Sequence, residues 1–369
     1  MRAMTELQNS IPTPSISPTK EDFWLVPLGG TGEIGMNLNL YGHDNQWLIV
    51  DCGISFEDEL DKNGFNQSRV IMPDIEFVKT VKDQIIAIVI THAHEDHIGA
   101  LPYLWPEIGC PIYASKFTRE VLLHKLNRAN CPAQVHEIEG GTLELGPFSI
   151  KTVEMTHSTP ETQGLIIETP AARVFHTADW KLDLDPLIGT PATESLYTNL
   201  GELDAVVTDS TNAMEPTAAI SEAVVYDGLF EVISAAPGRV VVSCFASNIA
   251  RLQTLGRIAK ATGRYLGLMG YSLNVMHQAA TKSGYLTKDF RTTSCADLGY
   301  LPPEEVMIIA TGSQGQPGSA LHRLALDQNP DINLGSDDHV ILSSKTIPGN
   351  EKSIDTLLQH QKLIMVLKV

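Results

Sequence analysis

The sequence predicts an α/β protein of two units in tandem, a strand-rich first unit and a second unit with a helix-covered parallel sheet. Length is the first support: 369 residues are too many for one ordinary core and suit two domains of roughly 100–200 residues each. The second is a change of texture near residue 205, where short strands with turn signals give way to regular strand–helix alternation. The expected boundaries are a disordered tail over 1–20, a first domain over 21–204 and a second over 205–369.

In the first unit, Trp24–Leu28, Asn37–Tyr41, Trp47–Val50, Ile85–Ile90, Val135–Ile138, Phe148–Met155 and Leu165–Glu168 read as strands. Helical stretches near Ile98–Glu107 and Lys116–Arg128 interrupt them. Gly140-Gly141 and Pro170–Ala172 look like connections between neighbouring strands. In the second unit, strands Ala205–Thr208, Arg239–Phe245, Tyr265–Met269, Val306–Thr311 and His339–Ser343 alternate with helices. These helices are Glu222–Ala235, Ile249–Ala261, Leu273–Ser283 and one from Gly318.

Composition narrows the classes. Apolar residues make up 43% and charged residues 19%, which is globular. A net charge of −18 argues against simple electrostatic docking on a membrane or duplex DNA. It leaves a nucleic-acid substrate open, because a local groove or a metal pair can hold phosphate. Five widely spaced cysteines without C-x-x-C read as reduced thiols in core space. No apolar run approaches ~18 residues, and the first twenty lack the features of a signal or transit peptide. A soluble, cytoplasmic protein is expected.

Gly30-Thr-Gly32-Glu-Ile-Gly35 matches the dinucleotide fingerprint, and Asp51 ends a strand 21 residues after Gly30. That mechanism needs a helix after the glycines, aimed at a pyrophosphate. Here an alternating stretch and the turn Gly42–Asn45 lead into the next strand. The segment is a hairpin, and the nicotinamide reading is set aside.

The strongest signal is Thr91-His-Ala-His-Glu-Asp-His97, directly after an apolar strand. Alternate residues of an extended segment share a face, so His92 and His94 can bind one ion together. Asp96 and His97 follow where a helix starts and point at a neighbouring position. Imidazoles plus a carboxylate, without thiolate, suit a hydrolytic site for zinc or a similar ion. His157 and Asp179 each end a later strand and fit the same site, although either alone would more often be a satisfied polar residue or a cap. A carboxylate at such a strand end can bridge two ions. Asp51 is expected behind the site, orienting ligand imidazoles.

These residues resemble the metallo-β-lactamase superfamily, in which H-x-H-x-D-H, a later His and a later Asp hold two zincs. Leu28–Asn37, Thr91–Leu101, Ser210–Asn212, Phe245–Ile249, Thr311–Gly315 and Ile347–Asn350 are together similar to the ribonuclease J family of its β-CASP branch. The similarity runs from about Phe23 to Asp355. It implies an αββα sandwich followed by a β-CASP α/β domain with a parallel sheet. It also implies a zinc-dependent 5′-to-3′ exoribonuclease and endoribonuclease acting on single-stranded RNA in maturation and decay, rRNA processing included, in the cytoplasm. Family members form homo-oligomers.

Carried over by position, the resemblance implies His92, His94 and His157 on a first zinc, Asp96 and His97 on a second, and Asp179 between them. Asp96 and Asp179 would be catalytic as well as ligands. Asp209 would be the branch's acid that orients a catalytic histidine; alone it reads as a strand-end cap. Ser247, Asn248 and Ile249 lie between a strand and a helix and suit either an RNA phosphate or a plain cap. Gly312, Ser313 and Gln314, with Gly349 and Asn350, occupy corresponding strand ends, where ligands of open α/β sheets collect. As isolated loops they would be turns.

The family continues past its I-P-G-N motif to an H-x-S-G-H loop, a return to the first domain with a further zinc-ligating His, and a C-terminal domain. Residues Gln359–Val369 resemble none of this, and His339 and His360 match neither motif. The expectation is a chain truncated at its C-terminus, without the return segment. One tight zinc, a second position short of a ligand and weak or absent activity would follow. Two other readings compete: an inactive zinc-containing RNA-binding or partner subunit, and a small-molecule hydrolase of the lactonase or glyoxalase type. The long α/β stretch after Asp209 counts against the latter.

Overall fold

The structure is a computed structural model and describes residues 17–60, 66–214, 216, 221–347, 350–359 and 366–368. Most of the expected N-terminal tail, together with Gly349 and His360, lies outside the described residues. The tail ends earlier than residue 20. The carbonyls of Pro18 and Thr19 accept the Asn45 and Asp44 N–H groups, which pins this stretch to a hairpin turn.

Strands β1 (Trp24–Gly29), β2 (Leu38–His43) and β3 (Gln46–Val50) are antiparallel neighbours, followed by a separate pair, β4 (Ser55–Leu60) and β5 (Asn66–Ile71). β6 (Ile85–Val89), β7 (Ile112–Ala114) and β8 (Val135–Glu137) add in parallel, giving a six-stranded sheet ordered β1-β2-β3-β6-β7-β8. A second sheet holds β9 (Thr142–Leu145), β10 (Phe148–Glu154), β11 (Gln163–Glu168), β12 (Arg173–His176) and β13 (Ala205–Val207).

Alternation along β3 shows why the sheets stack. Leu48 and Val50 face Phe148, Ile150, Leu165 and Ile167 of the second sheet in one buried cluster. Trp47 and Ile49 point the other way, into a core shared with Phe117, Val121 and Leu122 of the helix Lys116–Arg128. On the outer face of the second sheet, Val153, Ile166 and Phe175 pack under Trp180, Leu196 and Tyr197. The layers are αββα, as the resemblance implied.

Two sequence expectations are corrected here. Gly140-Gly141 joins no neighbouring strands: it carries the chain from β8 in the first sheet to β9 in the second. Ala205–Val207 opens no new unit, because β13 pairs in parallel with β12, Val207 lying opposite His176.

The second unit is a parallel sheet ordered β15-β16-β14-β17-β18, built from β14 (Val240–Ser243), β15 (Tyr265–Met269), β16 (Val306–Ala310), β17 (His339–Leu342) and β18 (Val366–Lys368). β14 and β16 are buried along their whole length, so both sheet faces are covered, as the apolar runs predict. The units meet along two antiparallel helices, Lys116–Arg128 and Tyr271–Ser283. Phe117 meets Tyr285 edge to face, Lys282 bonds Glu120 at 3.0 Å, and Arg128 lies over the Tyr271 ring. Among the described residues no helix is long and apolar enough to cross a membrane.

Candidate metal centre

The glycine-rich segment is a turn, as expected: β1 and β2 pair antiparallel with no helix between them. The H-x-H-x-D-H segment leaves β6 at its C-terminal end and turns into the short helix Glu95–Ile98. Residues 51–54 brace that turn from beside it. Cys52 N–H donates to the His97 carbonyl at 2.8 Å and Ile54 N–H to the Glu95 carbonyl at 3.0 Å. Gly53 must be glycine, because a Cβ there would lie 1.6 Å from the Asp96 carbonyl oxygen. Asp51 and Ala178, beside the donors, hold left-handed backbone at φ 65° and 55°. Non-glycine residues adopt that conformation only where their surroundings enforce it, and such strain clusters at functional sites.

Two groups of donors converge and share one residue. His92, His94, His157 and Asp179 form the first, and Asp96, His97 and Asp179 the second; within each group the donor atoms lie within 4.8 Å of one another. His94 Nδ1 is 3.1 Å from both His92 Nε2 and His157 Nε2. Asp179 Oδ2 lies 3.8 Å from His92 Nε2 and 3.6 Å from His157 Nε2. On the other side, Asp179 Oδ1 is 3.3 Å from His97 Nε2, and Asp96 Oδ2 is 3.5 Å from the same nitrogen.

The donors fit a metal. With bonds of about 2.0–2.1 Å, the donors of a tetrahedral zinc stand ~3.3 Å apart, within the 3.1–3.8 Å separations of the first group. Tautomers agree. The Thr91 hydroxyl donates to Asp51 Oδ2 at 2.9 Å, so its oxygen is free to accept from His92 Nδ1 at 3.0 Å. That arrangement leaves the Nε2 lone pair of His92 facing the other donors. Asp51 also lies 2.7 Å from His97 Nδ1, which turns Nε2 toward Asp96 and Asp179. One fully buried carboxylate thus aims an imidazole of each group.

Electrostatics support the same reading. Burial, reinforced by neighbouring imidazoles, pushes His92 well below the usual histidine pKa and His157 down to about 3, so both stand neutral with a lone pair to offer. His97 differs. Burial would lower it, but Asp96, Asp179 and Asp51 outweigh that and hold it well above the usual value. Three carboxylates around one imidazole make a place for positive charge, proton or metal. Asp179 would be raised by burial, but His97, His92 and His157 hold it well below the carboxylate range.

Asp209 does not meet a histidine through its Oδ1. That oxygen accepts the Thr211 N–H at 2.8 Å and the Thr211 hydroxyl at 2.6 Å, forming a turn just past β13. His176, given an ordinary structural role by its sequence context, pairs its Nδ1 with the Tyr41 hydroxyl at 2.9 Å inside the core.

The strand-end loops of the second unit gather on one sheet edge, since β14, β16 and β17 are adjacent and parallel. Ser247, Asn248 and Ile249 follow β14, Gly312–Gln314 follow β16, and Asn350 lies beyond β17. A cavity of about 270 Å³ opens there, lined by Phe245, Ser272, Thr311, Gly312, Ser313 and Ser319. Two side chains expected to contact RNA are engaged elsewhere. Asn248 caps the helix Ile249–Ala261, accepting the Arg251 N–H at 3.0 Å. Gln314 is buried; it donates to Ser344 Oγ and the Lys345 carbonyl and accepts from the Ile347 N–H and Asn350 Nδ2. The loop it holds reaches back to the first unit, where Lys345 Nζ donates to Asn212 Oδ1 at 3.2 Å. His339 begins β17, at the sheet's opposite edge.

Sequence reading missed Asn37 as a site residue. It lies in a quoted motif, but its part depends on a contact with Asp96, 59 positions away.

An αββα sandwich carrying this donor set at its strand ends, joined to a parallel α/β unit, defines a metallo-hydrolase fold of the β-lactamase type. A sequence model of the β-lactamase superfamily domain matches residues 46–236, and one of the ribonuclease J β-CASP domain matches 237–361. Ribonuclease J of Sinorhizobium meliloti is 39% identical over 349 residues, covering 91% of this chain and 61% of the relative. Ribonuclease J of Mycolicibacterium smegmatis is 37% identical over 350 residues, covering 93% and 61%. The chain belongs to the β-lactamase superfamily and, within it, carries the β-CASP domain of ribonuclease J. It spans 61% of the length of these two relatives. A protein of unknown function from Enterococcus faecalis V583 shares the fold, with a TM-score of 0.60 at 15% identity over 94% of this chain and 88% of that one.

Proposed function

We propose that the chain is the metal-binding and β-CASP portion of a zinc-dependent ribonuclease that hydrolyses single-stranded RNA, from the 5′ end and internally. The observation that carries this is the pair of donor groups sharing Asp179, set in a superfamily domain followed by the β-CASP domain of ribonuclease J. His92, His94 and His157 would hold a first zinc and Asp96 and His97 a second, with Asp179 serving both. Zinc bound there supplies Lewis acidity and activated water for phosphodiester hydrolysis. Asp51 fixes the tautomers of His92 and His97. Asp209 enters as an orienting acid, steadied by Thr211.

RNA lies against the facing edge of the second unit. Ser247, Gly312 and Ser313 supply hydroxyls and main-chain N–H groups to its phosphates, and Asn350 extends the same edge; Ile249, expected beside them, is buried with its N–H donating to the Ser247 carbonyl at 3.0 Å. Asn248 and Gln314 contribute through the loops they hold. The first unit binds metal and the second positions RNA. A cytoplasmic setting is supported by five free thiols, four of them buried.

The test is hydrolysis of 5′-monophosphorylated single-stranded RNA, a thioester and a β-lactam by zinc-loaded protein. Weak RNA cleavage, abolished by His92→Ala and Asp179→Ala, is expected. Thioester turnover without RNA cleavage would establish the small-molecule reading, and RNA binding without cleavage the binding-subunit reading.

A further inference from the structure

The glycine-rich turn Gly30–Gly35, set aside as a nucleotide motif, has a place in the metal centre. It ends in Asn37, which grips one atom twice: both its main-chain N–H, at 2.9 Å, and its Nδ2, at 3.1 Å, donate to the carbonyl oxygen of Asp96. The same Nδ2 lies 3.2 Å from His97 Nε2, the nitrogen that faces Asp96 and Asp179. Asn37 therefore touches both residues that belong to the second donor group alone, and no hydrogen bond links it to His92, His94 or His157.

The backbone around Asn37 is shaped for this contact. Gly30, Gly32 and Gly35 have positive φ, and Met36 sits in left-handed backbone at φ 40°. A Cβ on Gly30 would lie 2.1 Å from Asn37 Oδ1, so the turn closes against the amide itself. From the opposite side, Gly53 N–H donates to the Asn37 carbonyl at 2.9 Å. Gly53 is also the residue with no room for a Cβ against Asp96. Asp96 is thus held at its carbonyl by Asn37 and packed directly against Gly53.

We infer that Asn37 is a positioning residue for the second metal position, with the glycine turn as its mount. This rests on the reading of the centre as a two-ion site. Asp51 aims one imidazole of each group, so a defect there reaches both ions; Asn37 holds the Asp96 main chain, beside His97, and its effect is confined to the second. Loss of such a supporting contact typically costs 10–100-fold in metal affinity.

The experiment is stepwise titration of chelator-stripped full chain with Zn(II) and Co(II), by calorimetry and Co(II) absorption. No RNA is involved, so failure of the ribonuclease reading and failure of this one are separable. Wild-type chain should take up a first ion tightly at the four-donor group and a second more weakly at the three-donor group. Asn37→Ala should weaken the second by tenfold or more and leave the first within about threefold. Asn37→Asp, of the same shape but with no hydrogen to give the Asp96 carbonyl, should show the same selective loss. Equal weakening of both ions would mark a general structural defect and overturn the inference. So would unchanged affinity in Asn37→Ala, tighter second-ion binding by Asn37→Asp, or a wild-type chain that binds a single ion.

Discussion

Two edges of this molecule are both built from strand ends, yet they use their polar side chains in opposite ways. At the metal centre the side chains point at one another. Their outward atoms are held from behind by Asp51, Thr91 and Ser158, and their inner nitrogens and oxygens meet at 3.1–3.8 Å. At the second unit's edge the side chains turn back onto their own backbone. Asn248 caps a helix, Gln314 holds Ser344, Lys345, Ile347 and Asn350, and Arg251 bonds Glu222 and the Ser343 carbonyl. One edge offers converging side chains; the other offers main chain and hydroxyls. A cation needs the first kind of surface, and a repeating phosphate backbone can be held by the second.

The largest test of this contrast removes a converging side chain. Four-ligand zinc sites bind with roughly 10–16 kcal/mol, so loss of one ligand costs on the order of several kcal/mol. His92→Ala should release most of the first ion, and Asp179→Ala should weaken both. Elemental analysis after dialysis reads this directly. Metal content unchanged in Asp179→Ala would show that the two groups do not share it.

Asp51→Asn should have a smaller but broader effect. The amide cannot both accept from the Thr91 hydroxyl and N–H and match the His97 contact as the carboxylate does. A loss of about 10–100-fold in affinity is expected for both ions. A loss confined to the second ion would detach Thr91 and His92 from the relay and reduce Asp51 to a partner of His97.

At the other edge, Gln314→Ala should act on stability. A buried amide with four hydrogen-bond contacts leaves several groups without partners when removed, and each buried unsatisfied group costs about 1–3 kcal/mol. A denaturant midpoint well below wild type with full metal content is the expected pair of results. Metal loss accompanying it would mean that the two edges are coupled through the Lys345–Asn212 contact.

How far all this could be read from sequence follows from what each feature depends on. The helices Lys116–Arg128, Glu222–Ala235 and Ile249–Ala261 have the bounds their patterns predict, because apolar periodicity and capping are local. The β4–β5 pair was not anticipated: Ser-Phe-Glu-Asp-Glu-Leu and Asn-Gln-Ser-Arg-Val-Ile carry charge and little alternation. β7 is three residues long, too short to display a period. Gly140-Gly141 signals a turn but not which sheet comes next, since that is decided by which strands bury each other. The six metal donors were legible because their chemistry is written in residue type and spacing. Asn37 was not, because its role is a contact with the main chain of Asp96, and no side-chain pattern marks a carbonyl. Gln314 was expected to contact RNA, but its amide is directed inward onto its own loop, a contact no side-chain pattern marks.

Asn248→Ala is the smallest effect and the sharpest probe of the contrast. The side chain accepts the Arg251 N–H at the start of a 13-residue helix. Removing such a cap typically costs about 1 kcal/mol, a modest shift in denaturant midpoint. If the second edge holds RNA through backbone and hydroxyls, the Ser247 N–H and hydroxyl remain in place once the helix is formed. RNA affinity should then change by less than about threefold, an amount below the tenfold that 1.4 kcal/mol represents. Affinity measured by fluorescence anisotropy well below the unfolding midpoint separates the two effects. A tenfold or greater loss of RNA binding, with stability altered by no more than the cap is worth, would show that the Asn248 amide reaches RNA itself. The edge would then work by converging side chains after all, as the metal centre does.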